Sequence, residues 1–236
     1  MRLVTWNCNG AFRKKFHELS SLNADIYIIQ ECEDPEQTKD ILYKEWANSY
    51  LWIGENKNKG IGVFISGKHS LEPLNWSNQY KDHTVKHFLP CLVNQQIQLL
   101  AVWTHHNNSP TFGYIGQFWK YLQTNKAQFK NIIIAGDFNS NVIWDKWDRW
   151  WNHSDCANEL HEIGIVSAYH ELMDDQPGKE FQPTFFLQRN TDKPYHIDYF
   201  YLSKSLLTTK SSIVVGDRIK WLEKSDHLPL ILELSK

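Results

Sequence analysis

Short apolar runs rich in Val, Ile, Tyr and Phe recur along the whole chain, at 2–6, 25–30, 61–66, 97–104, 131–136, 197–202, 211–215 and 228–234, and each reads as a buried strand. Between several of them lie longer amphipathic stretches with polar punctuation, at 13–23, 35–47, 111–128 and 154–163, which read as covering helices. Strands follow strands around 60–66, 83–89 and 97–104 instead of alternating strictly with helices, which disfavours a single all-parallel sheet. The pattern predicts an α+β fold: a four-layer α/β/β/α sandwich of two mixed sheets packed face to face and flanked by helices. No repeat, low-complexity tract or linker interrupts it, so residues 1–236 are expected to form one domain.

Composition narrows the picture. No run of 18 apolar residues is present, and Met1 opens directly into the strand-like Arg2-Leu3-Val4-Thr5-Trp6 instead of a charged-then-apolar leader. A cytoplasmic protein with no membrane partner is the expectation, and no obligate protein partner is readable. Cys8, Cys32, Cys91 and Cys156 are scattered without a CxxC pair, so they are expected to be reduced thiols and not a zinc or redox site. A formal charge of -2 and a pI near 6.6 argue against tight, processive binding to long nucleic acids. Catalysis on them stays open, because bound metal can neutralise carboxylates.

Two local features stand out. The basic run Arg13-Lys14-Lys15 is either the solvated first turn of a helix or a phosphate contact. Segment 141–153 holds four of the eleven tryptophans; it is either pinned to the core by its rings or a stacking platform for bases.

The chemistry lies where strands end. The runs 2–6, 26–30, 99–104 and 131–136 lead into Asn7, Glu31, His105 and Asp137-Phe138-Asn139, so each apolar strand delivers a polar side chain as it leaves the core. Converging strand ends would make a polar cluster on a rigid floor. Taken singly, such residues are more often turn or capping groups. Asp198, inside His196-Ile197-Asp198-Tyr199-Phe200, is less ordinary, because a buried carboxylate needs a histidine or a metal as partner. Asp226-His227 precedes the last apolar run.

Thr5-Trp6-Asn7-Cys8-Asn9-Gly10, Gln30-Glu31, Thr104-His105, Gly136-Asp137-Phe138-Asn139, His196-Ile197-Asp198-Tyr199 and Ser225-Asp226-His227 resemble, in order, the motifs of the endonuclease/exonuclease/phosphatase (DNase I-like) superfamily. The likeness runs from residue 5 to 227. The opening is most similar to the apurinic/apyrimidinic endonuclease branch, whereas Thr104-His105 is more like DNase I and the phosphatase members.

The resemblance implies a metal-dependent phosphodiester hydrolase acting on DNA or RNA. Asn7, Glu31 and Asp226 would hold Mg²⁺ or Mn²⁺ through hard oxygens. Asp137, with Asn139, would activate water. His227, kept cationic by Asp198, would bind a phosphate oxygen, with His105 as second donor. His106 is the neighbouring candidate; strand alternation sets the two histidines on opposite faces and the motif selects His105. Asn9, Arg13, Asn107 and Trp144 are the candidate substrate-binding residues. The rival readings are a phosphomonoesterase on a soluble metabolite or inositol phosphate, a sphingomyelinase-like lipid esterase, and an inactive binding module of the same fold.

Overall fold

A computed structural model describes residues 1–67, 69–106 and 112–235; Asn107 lies outside the described residues. The strands in chain order are β1 (Arg2–Asn7), β2 (Ile26–Cys32), β3 (Tyr50–Asn56), β4 (Lys59–Ile65), β5 (Leu71–Pro73), β6 (Gln79–Tyr80), β7 (His83–Thr84), β8 (Phe88–Val93), β9 (Ile97–Trp103), β10 (Ile132–Asp137), β11 (Ile165–Ser167), β12 (Phe185–Phe186), β13 (Pro194–Tyr195), β14 (Asp198–Ser203), β15 (Ser212–Val215) and β16 (Leu230–Glu233). The α-helices are α1 (Ile41–Trp46), α2 (Ile115–Asn125), α3 (His153–Glu162), α4 (Ala168–Met173) and α5 (Arg218–Leu222).

Two six-stranded sheets form, in the orders β15-β16-β1-β2-β4-β3 and β11-β14-β10-β9-β8-β5. Both are mixed: β1 runs parallel to β2 and antiparallel to β16, and β10 runs parallel to β9 and antiparallel to β14. Period-two alternation sends one side of each sheet to a shared core, where Leu3, Ile26, Ile28 and Val63 meet Leu99, Ala101, Ile133 and Leu202. The outer face of the second sheet packs Leu100, Val102 and Ile134 against Phe118 and Leu122 of α2 and Leu160 of α3. The outer face of the first packs Val4, Trp6 and Ile29 against Phe12, Tyr43 and Trp221. The expected four layers are present. Each fully buried Leu, Ile or Phe stabilises them by roughly 1.5–3 kcal/mol relative to exposure.

The helices over the first sheet differ from expectation. Stretch 13–23 folds as two 3₁₀ segments, Phe12–Lys14 and Phe16–Leu22. Ser20 and Ser21 Oγ bond back to the carbonyls of His17 (2.7 Å) and Glu18 (2.9 Å), and Asn23 ends the run at φ 46°. Stretch 35–47 becomes helical only at Ile41, because Asp40 is its N-cap and accepts from Tyr43 N at 3.0 Å. The strand expected over 83–89 splits into β7 and β8, with His87 at φ +63° between them. Edge strand β3 was not expected; its outward half is polar and exposed. Among the described residues no helix is long and apolar enough to cross a membrane, and all four cysteines are buried free thiols.

Candidate active site

Alternation and register together build the site. Thr5 and Asn7 lie on the inner side of β1 with Leu3; Asp137 follows Ile133 and Ala135 on β10; Asp198 heads the inner series Asp198, Phe200, Leu202 on β14. Pairing places Asn7 beside Gln30, and Asp137 beside both Trp103 and Asp198. One end of the inter-sheet core is therefore closed by polar groups. Asp226 and His227 arrive at the same end, because β16 runs antiparallel to β1 with Leu230 opposite Thr5.

Two backbone devices complete this end. By simple alternation Glu31 belongs on the outer face with Ile29. A bulge intervenes: Gln30 pairs with Ile61 and Cys32 with Gly60, leaving Glu31 unpaired at φ +63° and turned out of the ladder. Gly136, at φ +151°, lets β10 approach β9 so closely that a Cβ would meet Val102 O at 1.7 Å.

The hydrogen bonds form one cluster. Asn7 Nδ2 donates to Asp137 Oδ2 at 2.9 Å and faces Glu31 Oε1 at 3.4 Å, while its Oδ1 accepts from Asn9 N at 3.0 Å. Asn139, at φ +45°, donates from N to Asp137 Oδ1 (2.8 Å) and from Nδ2 to Asp137 Oδ2 (2.9 Å) and Thr104 O (3.1 Å). His227 Nδ1 lies 2.9 Å from Asp198 Oδ2, and its Nε2 lies 3.9 Å from Asp137 Oδ2. Trp6 Nε1 donates to His227 O at 3.0 Å and fixes that residue from below. Ser225 Oγ donates to Asn7 O at 2.7 Å and lies 3.4 Å from Asp226 Oδ1, tying half-buried Asp226 to the group.

Burial sets the electrostatics. Desolvation raises Asp137 above the usual carboxylate range, against the lowering pull of His227. Burial alone would lower His227; the Asp198 and Asp137 carboxylates outweigh it and raise the ring to about 9. The two carboxylates thus favour the charged form of the imidazole. Asp137, Asp198 and His227 each place a donor atom within 4.8 Å of the others.

On the Glu31 side the carboxylate is flanked by amide and ammonium groups: Asn7 turns its Nδ2 toward Glu31 Oε1 while its Oδ1 accepts from Asn9 N, and Lys59 Nζ stands 2.9 Å from Glu31 Oε2 as a cation on that carboxylate.

The remaining candidates fall around this cluster. His105 is exposed just past β9, with its ring against Trp103 (5.2 Å) and His87 (5.9 Å) and within the field of Glu31 and Lys59. His106 points elsewhere, into a cavity it shares with Asn139 and Trp144. Asn9 is exposed at φ +53°; Arg13 forms an ion pair with Glu33; Trp144 rests on Tyr195 at 5.1 Å. Sequence reasoning passed over Lys59, which carries no motif. It also passed over Phe185, whose ring is 4.5 Å from His227, and Asn141, whose Nδ2 reaches Glu180 Oε1 (3.1 Å), His196 O (2.9 Å) and Tyr199 OH (3.0 Å). Asn141 carried a signal, standing four residues past Asp137 as the N-cap of the 3₁₀ segment Val142–Trp144.

No family model matches the chain. Solved structures do. The 3′ phosphatase NExo from Neisseria bound to product DNA hairpin aligns with TM-score 0.72 at 16% identity, covering 100% of both chains. An AP endonuclease from Archaeoglobus fulgidus aligns with TM-score 0.69 at 15% identity, again over 100% of both. The endonuclease/exonuclease/phosphatase from Beutenbergia cavernae aligns with TM-score 0.64 at 13% identity, over 100% of this chain and 72% of that one. The chain has the DNase I-like fold of these structures, as the ordered motifs led us to expect.

Proposed function

We propose that this chain is a divalent-metal-dependent phosphodiesterase that hydrolyses nucleic acid, with residues 1–236 as one catalytic domain in the cytoplasm. The observation that carries this reading is a buried carboxylate, Asp137, held by two asparagine amides and set 3.9 Å from a cationic imidazole that a second buried carboxylate supports. Two of the similar structures support a nucleic-acid substrate, since one is bound to a product DNA hairpin and the other is an AP endonuclease.

In this reading Asp137 takes the proton from an attacking water, and Asn7 and Asn139 fix which carboxylate lone pair faces it. His227 donates from Nε2 to a non-bridging phosphate oxygen, and Asp198 holds the ring in orientation and charge. His105 supplies a second donor. Glu31, Asn7 and Asp226 would hold Mg²⁺ or Mn²⁺, which would supply charge neutralisation at the phosphate and a more acidic water.

The test is a metal titration of the purified chain against single-stranded, double-stranded and abasic DNA, RNA and a generic phosphomonoester. Metal-dependent cleavage of a nucleic acid is the expected result. Turnover of the monoester alone would reassign the site to a phosphomonoesterase on a soluble metabolite or inositol phosphate. Neither metal binding nor turnover would mark an inactive binding module.

A further inference from the structure

Beside Asn139 the surface opens into a cavity of about 380 Å³ whose walls include His106, Tyr114, Trp144, Arg149 and Trp151. Asn139 lines this cavity while its Nδ2 holds Asp137 at 2.9 Å, so a ligand seated there abuts the hydrolytic cluster. Trp151 is buried with the Arg149 guanidinium 4.5 Å over its ring. Much of the polar wall is already committed to protein. Asp145 accepts from His153 N (2.9 Å) and Ser154 N (3.1 Å), and Asn152 exchanges bonds with the Lys146 backbone at 2.9 and 3.0 Å. The wall left to hold a ligand is chiefly aromatic. Farther along the same segment, Trp147 and Trp150 are 98% and 64% exposed.

Charge points the same way. Arg13 is paired with Glu33, Lys59 with Glu31, and Lys15 Nζ donates to Cys8 O at 2.6 Å. These three cations are thus committed to protein groups, and the chain carries a net charge of -2. Duplex binders rely on many phosphate contacts, and a base inside a duplex reaches a pocket only after costly unstacking. Single strands can instead be held by stacking on aromatic rings.

We propose that this cavity is a stacking site for one unpaired nucleobase next to the phosphate being hydrolysed, so that the preferred substrate is a single strand. The proposal rests on the phosphodiesterase reading above and narrows its substrate. Because ring faces do the holding, all four bases are accepted.

The probe is a fluorescently labelled single strand bound to the full chain, prepared as DNA and as RNA to identify the sugar, beside a hairpin duplex and strands with a tetrahydrofuran spacer replacing one base at successive positions. One spacer position is expected to weaken binding roughly five- to hundredfold, the range of a lost stacking contact. Trp144→Ala should erase that difference and Trp144→Phe should keep it. The salt dependence should stay shallow, with a log–log slope no steeper than about -2, equivalent to about three single-strand phosphates. Tighter binding of the duplex, indifference to the spacer at every position, a steeper slope or a Trp144→Ala variant that still discriminates would each overturn the proposal. Hydrolysis is scored separately on the same strands. A chain that discriminates the spacer but cleaves nothing defeats the phosphodiesterase reading, whereas one that cleaves without discriminating defeats only the stacking site.

Discussion

Removing the His227 imidazole tests the electrostatic core of the site. Asp198 is fully buried; its Oδ2 meets His227 Nδ1 at 2.9 Å, and its Oδ1 has no hydrogen-bond partner among the described residues. The elevation of the ring from 6.5 to about 9 corresponds to on the order of 3 kcal/mol in favour of the charged imidazole. His227→Ala strands that carboxylate beside Asp137, and breaking a buried pair in this way costs about 3–5 kcal/mol. Asp198→Asn removes the charge itself and should cost less, about 1–3 kcal/mol, the penalty of an imperfectly satisfied polar group. The double variant should be no less stable than His227→Ala, giving a coupling of about 2 kcal/mol. Urea unfolding followed by circular dichroism at neutral pH measures all four corners of the cycle. The pH dependence adds a second check on sign. In the wild type the folded His227 has a raised pKa, so its stabilisation is complete below 6.5 and is lost as pH rises through about 9. In His227→Ala the two buried carboxylates face each other without the imidazole, so protonation relieves their repulsion and the variant's deficit should shrink as pH falls. Losses that add to within about 0.5 kcal/mol, or a deficit that grows on acidification, would refute the pairing.

Three further outcomes concern activity. Glu31→Gln should abolish turnover chiefly by weakening metal binding, with partial rescue by added Mn²⁺; an unchanged metal requirement would remove Glu31 from the ligand set. Asp137→Asn should lower kcat roughly a hundredfold or more while substrate binding stays near normal, and the opposite split would make its role positional. Wild-type kcat/KM should decline as pH rises through about 9, where His227 loses its charge, and Asp198→Asn should move that decline to lower pH. A decline that stays in place would uncouple the two residues.

The layered architecture was legible because it is written in local period: Ile132 to Ala135 and Leu99 to Val102 are apolar throughout and buried in the structure, as strands covered on both faces must be. The polar residues ending these runs were legible for the same reason, since Asn7, Asp137 and Asp198 break an apolar pattern at a cost that only a site or a partner repays. The helices over the first sheet were not, because capping by Asp40 and the back-bonding of Ser20 and Ser21 override a weak periodicity. The pairings within the site also lay beyond the sequence. Which carboxylate meets His227, how a bulge turns Glu31 inward and which lysine pairs with it depend on strand register and backbone dihedrals among residues as far apart as Asn7 and Asp137. A linear pattern records which side chains leave the core; only the packing of one sheet on the other decides which of them meet.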